Sequence, residues 1–78
     1  MKRRSELISF GQVVRAVRES KGMSQEELAA SSKLHRTYIG GVERGERNLG
    51  LKNIFRLARA LGSPASQLLA AAEERFRP

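Results

Sequence analysis

Arg36, Thr37, Gly40, Gly41 and Arg44 lie within LHRTYIGGVERGERN, residues 34–48, at spacings that a helix gathers onto one surface. At about 100° per residue, Ile39 and Val42 fall on one side, and Thr37, Gly40, Gly41 and Arg44 fall on the other. Arg36 and Tyr38 flank that second side near its N-terminal end. Arginine can donate a parallel pair of hydrogen bonds to guanine O6 and N7, and threonine offers a hydroxyl and a methyl that can meet thymine. Arg44, with Arg47 and Asn48 just beyond, carries donors suited to phosphate oxygens. Each glycine costs a helix interior about 0.5–1 kcal/mol relative to alanine. A bare stretch lets the backbone come close to something: a major groove about 12 Å wide, or another helix of the same protein. Two adjacent glycines cannot both face one packed neighbour, which favours groove approach for at least one. The strip is therefore expected to lie open to solvent.

Other chemistries are poorly served. His35 is the only histidine and cysteine is absent, so no zinc site can be assembled. The chain has no aspartate, which removes a Ser-His-Asp arrangement. Glu26 with Glu27, and Glu73 with Glu74, are neighbours that point in different directions on a helix; capping and surface charge explain them better than paired-carboxylate catalysis. GGVERG lacks the lysine and the preceding strand of a phosphate loop. No catalytic residue, metal or cofactor is expected.

The net charge is +7 and the isoelectric point is near 11.1. That balance favours an anionic partner, nucleic acid before acidic lipid or protein. The eight acidic residues and the apolar periodicity are foreign to a disordered polybasic tail. One tyrosine and three phenylalanines provide no stacking platform for single-stranded RNA. No apolar run approaches the ~20 residues of a membrane span, and no export signal or lipidation motif is visible. Lack of cysteine suits a reducing cytoplasm.

These side chains must be positioned by a small all-α domain. Seventy-eight residues make a single domain, 1–78, which buries only about 60% of its unfolded surface. No segment alternates with the period of a strand. The first helix is expected over roughly residues 5–21, with Leu7, Phe10, Val14 and Val17 on one face and Gly22 at its end. Its start is open: Ser9 and Gln12 form a capping-box pattern, and Ser5 offers an earlier cap. The second starts at Ser24, boxed by Glu27, with Met23 and Leu28 in the staple positions, and stops near Ser31 and Ser32. A short turn leads to the third, helical to Glu43 or Arg44 and stopped by Gly45. The fourth spans about residues 51–61, with an apolar stripe of Leu51, Ile54, Leu57, Ala58 and Leu61 closed by Gly62. Ser63 and Pro64 open the fifth, proline in the first turn where its missing N–H is harmless. A short capped helix, a brief turn and a second short helix among others make a helix-turn-helix. Glu43, beside the inward face, is expected to pair with Arg47 or Arg56. Arg15, Arg18, Arg56 and Arg59 are expected on solvated faces.

MSQEELAASSKLHRTYIGGVERGERNLGLKNIFRLARALG, residues 23–62, resembles the phage-repressor-like (XRE-type) helix-turn-helix family. Within it, HRTYIGGVERGERN is similar to the controller proteins of bacterial restriction–modification systems. The resemblance runs from about Phe10 to Leu69. It implies an all-α, five-helix phage-repressor-like DNA-binding domain whose second and third helices form the helix-turn-helix. It implies base contacts from Arg36 and Thr37, with Gly40 and Gly41 close to bases or phosphates. It implies backbone contacts from Gln25, Tyr38, Arg44, Arg47 and Asn48, with Lys52 adding charge. Free N–H groups at the helix starts near Ser24 and Gly50 suit phosphate as well. His35 stands where a better cap is common, so it caps poorly or meets DNA itself; Gly50 likewise weakens the fourth helix's start.

The resemblance further implies a homodimer. Residues 63–77 would be the dimerisation helix, with Ala65, Leu69, Ala72 and Phe76 in the seam. Two third helices would enter successive major grooves about 34 Å apart on a pseudo-palindromic operator. It implies regulation by occupancy, recruiting RNA polymerase at one site and blocking it at another, in the cytoplasm on the nucleoid. A prophage repressor or an antitoxin of the same fold is the alternative; a basic adaptor for RNA or an acidic protein is the more distant one.

Overall fold

The computed structural model describes the backbone of residues 2–76 and the side chains of residues 6–76. Five helices follow one another: α1 (Lys2–Ser20), α2 (Gln25–Ser32), α3 (Arg36–Glu43), α4 (Leu51–Leu61) and α5 (Ala65–Phe76). No strand occurs among the described residues. The fold class is as the sequence indicates, and α4 has the expected limits.

The helix ends follow local chemistry. At α2, the Ser24 hydroxyl accepts the Glu27 N–H at 3.0 Å, and the Glu27 carboxylate accepts the Ser24 N–H at 2.8 Å. Such a cap contributes about 1 kcal/mol. His35 and Gly50 precede α3 and α4 with no side-chain cap, as their types suggest. Gly22, Gly45 and Gly62 close their segments with positive φ. Lys33 does the same after α2 at φ 60°, although it is not glycine. Two boundaries differ from expectation. α1 begins by Lys2, so Ser9 is a buried interior residue rather than a cap; the Ser5 side chain lies outside the described residues. Pro64 stands just before α5, its carbonyl accepting the Leu68 N–H at 3.2 Å. Residue 77, expected in the last helix, also lies outside the described residues.

The core joins all five helices. Phe10, Val13 and Val14 of α1 meet Leu28 of α2, Ile39 and Val42 of α3, Leu57, Ala58 and Leu61 of α4, and Leu68 and Ala72 of α5. Leu51 corrects the expected α4 stripe. It starts the helix beyond the reach of the core and remains 67% exposed. Ala72, expected in the seam, packs against the core and also lines a groove beside Leu69 and Phe76. At 8% exposure it already packs within its own protomer, whereas Leu69 and Phe76 on the same helix are 42% and 39% exposed.

Among the glycines, those at the contact between α1 and the end of α3 are the most closely enclosed. A side chain at Gly11 would overlap the Val42 carbonyl oxygen and come within 2.8 Å of the Glu43 carbonyl. One at Gly45 would sit 2.6 Å from Ile8 Cγ1. Glycine at both positions lets the two backbones touch. Because the obstructing atoms at Gly11 are backbone, Gly11→Ala is expected to destabilise the protein by about 3 kcal/mol, read as a lower urea midpoint.

Candidate nucleic-acid interface

The inner side of α3 is fixed first. Arg18, near the end of α1, donates from Nε to Glu43 Oε2 at 2.6 Å and from Nη2 to Glu43 Oε1 at 3.0 Å. Its Nη1 donates to the Met23 carbonyl at 2.8 Å. Gln25 Nε2, at the start of α2, donates to Glu43 Oε1 at 3.0 Å. The Arg18 and Glu43 side chains are 10% and 4% exposed. One carboxylate thus ties α1 and α2 to the last residue of α3, and Arg18 extends the tie to the turn before α2. The expected partners of Glu43, Arg47 and Arg56, are replaced by Arg18, and Arg18 is not on a solvated face. Twenty-five residues separate the pair in sequence, a distance that helical periodicity cannot bridge. The hydrogen bond with Glu43 raises the Arg18 guanidinium above its ordinary range; desolvation opposes this, and the charges of Glu43 and Glu19 add to the rise. A raised folded-state pKa for a base means its stabilisation is present from neutral pH up to the guanidinium range and is lost as pH rises through it.

The outer side carries Arg36 and Thr37, both exposed at the N-terminal end of α3. Arg36 Nε lies 3.1 Å from Glu26 Oε2 on α2, and both side chains are largely in water. Arg44 Nε makes a similar exposed pair with Glu46 Oε1 at 3.2 Å. Exposed pairs of this kind are weak and screened by salt, so either arginine can exchange its carboxylate for a phosphate or a base.

Gly40 and Gly41 are not open to solvent, and the expectation of a bare strip is corrected. Both are buried, but the cover is flexible side chain rather than another helix. An added Cβ at Gly40 would meet Arg44 Nη1 at 3.0 Å, and one at Gly41 would meet Arg47 Cγ at 3.0 Å and Nε at 3.1 Å. The arginines fold back over the glycines because the missing side chains leave room for them. Arg47 also places its guanidinium carbon 5.4 Å from the Tyr38 ring centroid, within cation–π range. Asn53 of α4 donates to the Tyr38 hydroxyl at 3.0 Å.

The remaining expected positions divide. Lys52 is exposed in the first turn of α4. Gln25 is half-buried, with its amide engaged by Glu43. Asn48 is exposed but lines a groove of about 350 Å³ with Leu49, Phe10, Ile54, Leu69 and Phe76. Ala65 is half-buried against the core. Sequence reasoning missed three positioning residues: Arg18, Gly11 and Asn53. Gly11 was readable as a glycine in the apolar stretch of a helix; the other two had no local signal. Among the described residues no cluster of His, Cys, Asp and Glu could hold a metal.

A buried, ion-paired inner face and an arginine-rich outer face on the second helix of a helix-turn-helix define a DNA-binding module. The chain matches the helix-turn-helix family model over residues 14–68 and belongs to that family, in its XRE-type branch. It is similar to the control protein C.BamHI of Bacillus amyloliquefaciens, 54% identical over 61 residues that cover 77% of this chain and 75% of that protein. It is also similar to the control protein C.SmaI of Serratia marcescens, 52% identical over 56 residues covering 72% and 67%. The crystal structure of the restriction–modification controller protein C.AhdI from Aeromonas hydrophila superposes with a TM-score of 0.78 at 53% identity, covering 80% of this chain and 94% of that one. The C.Esp1396I controller tetramer on its natural 35-base-pair operator superposes with a TM-score of 0.83 at 34% identity, covering 91% and 93%.

The locking role of Arg18 has a measurable consequence. Arg18→Met leaves the Glu43 carboxylate buried without its cation and is expected to cost about 3 kcal/mol by urea denaturation. Arg18→Met with Glu43→Leu removes both charges and is expected to recover much of that loss.

Proposed function

We propose that this chain is a homodimeric, sequence-specific transcription regulator of the restriction–modification controller type, acting on a pseudo-palindromic operator. The observation that carries the reading is the two-sided construction of α3. Its inner side is pinned through Glu43, while Arg36 and Thr37 stand exposed where a recognition helix meets base edges. Arg36 and Thr37 are the proposed base readers. Gln25, Tyr38, Arg44, Arg47, Asn48 and Lys52 are the proposed phosphate contacts, of which Gln25 also braces Glu43. The similarity to C.BamHI, C.SmaI and C.AhdI supports the controller role, and the C.Esp1396I–operator complex supports duplex DNA as ligand. A non-enzymatic, cytoplasmic protein acting on the nucleoid and recruiting RNA polymerase is part of the same reading. Among the described residues no helix is long and apolar enough to cross a membrane.

Dimerisation is proposed through α5 and the groove beside it. Leu69 and Phe76 are the exposed large apolar residues of α5, and both line that groove with Leu7, Leu49 and Ile54. A partner protomer would cover this apolar surface. Leu51 and Phe55, one turn apart on α4, form a second exposed apolar pair.

Three measurements test the proposal. Footprinting on DNA upstream of the chain's own gene supplies the operator duplex. Arg36→Ala is expected to reduce discrimination between that operator and random-sequence duplex by about 1–3 kcal/mol, while Arg47→Ala weakens both and flattens the salt dependence by about one phosphate contact. Identical effects of the two substitutions on both duplexes would refute the division of roles. Leu69→Glu is expected to shift sedimentation to the monomer; an intact dimer would remove α5 from the seam.

A further inference from the structure

Gly41 is costly to α3, yet it leaves no bare surface. We infer that Gly41 is a positioning residue, the seat that holds Arg47 against the recognition helix; this rests on the reading of α3 as DNA-contacting. Arg47 belongs to the linker between α3 and α4, where an exposed side chain has no helix of its own to orient it. Three features orient it nonetheless. Its stem lies in the space a Gly41 side chain would fill, with Cγ, Nε and Cδ at 3.0, 3.1 and 3.6 Å from that Cβ position. Its guanidinium lies over the Tyr38 ring. The ring is anchored from α4 through Asn53. Arg47 is thereby bound to α3 at two points before any DNA arrives, so less of its freedom is lost when it engages a phosphate.

Gly40 is different. The nearest atom to its added Cβ is Arg44 Nη1, the far end of a flexible chain held otherwise by Glu46, and it can swing away. At Gly41 the nearest atom is Cγ, close to the root of Arg47, so a methyl group there pushes the stem off α3 by a few tenths of an ångström and tilts the guanidinium beyond it. The two glycines thus differ: only Gly41 lies against the stem of its arginine, and neither faces a packed helix.

The test is a double-mutant cycle of Gly41→Ala and Arg47→Ala, titrated across salt concentrations onto the footprinted operator duplex and a random-sequence duplex of equal length. Gly41→Ala is expected to melt no lower than the wild type, since alanine suits a helix interior better and the three nearest atoms to its Cβ all belong to Arg47. It is expected to weaken operator binding about tenfold, the worth of one charge-assisted hydrogen bond. The salt slope should fall by about one phosphate contact. In the Arg47→Ala background, the same substitution should cost no further affinity. A full additional loss there would mean the methyl obstructs the duplex directly, and the seat is overturned. Binding equal to wild type, or a lowered melting temperature, overturns it as well. A DNA-free readout separates this idea from the reading beneath it: proton NMR should show upfield ring-current shifts on the Arg47 δ-methylene that vanish in Gly41→Ala. Shifts that persist sink the seat. Shifts that vanish in a protein that does not prefer operator over random duplex uphold the seat and sink the DNA reading.

Discussion

The buried pair between Arg18 and Glu43 is the constraint on which α3 depends. A single carboxylate, 4% exposed, receives two hydrogen bonds from α1 and one from α2. No buried side-chain nitrogen or oxygen among the described residues lacks a partner, so the desolvated charges carry no unmet hydrogen bond. The pair sits at the C-terminal end of α3, next to the close contact where Gly11 and Gly45 let α1 touch the α3 turn. One interaction is polar and one steric, and they meet at Glu43, whose carboxylate takes the hydrogen bonds and whose carbonyl lies against Gly11. The N-terminal end of α3, with Arg36 and Thr37, is left projecting.

The arginines sort by environment. Arg18 is withdrawn from water and holds the fold. Arg36 and Arg44 make exposed pairs with Glu26 and Glu46 that bulk ions weaken. Arg47 is held by shape and by the Tyr38 ring rather than by a carboxylate. A high net positive charge therefore does three kinds of work. It braces the helix pair, it supplies exchangeable contacts, and it attracts a polyanion from a distance.

Much of the architecture was legible because helix ends are decided locally. Ser24 with Glu27, and the positive-φ glycines Gly22, Gly45 and Gly62, act within one turn of chain. Apolar spacing located Phe10, Val14, Leu57 and Leu61 in the core. The same spacing misplaced Leu51, because periodicity gives the side of a helix and not how far its neighbours extend along it. The start of α1 was left open, since Ser9 made a capping box with Gln12 while Ser5 offered an earlier cap.

The residues by themselves settled an all-α helix-turn-helix with a cationic, glycine-bearing third helix, since composition, capping and period are properties of neighbouring positions. Tertiary packing alone decided that Glu43 pairs with Arg18, that Gly11 rather than Gly40 or Gly41 meets another helix, and that the glycine pair lies beneath arginine side chains. Each of those outcomes depends on which elements lie side by side, and contacts between residues far apart in sequence exist only once the chain has folded.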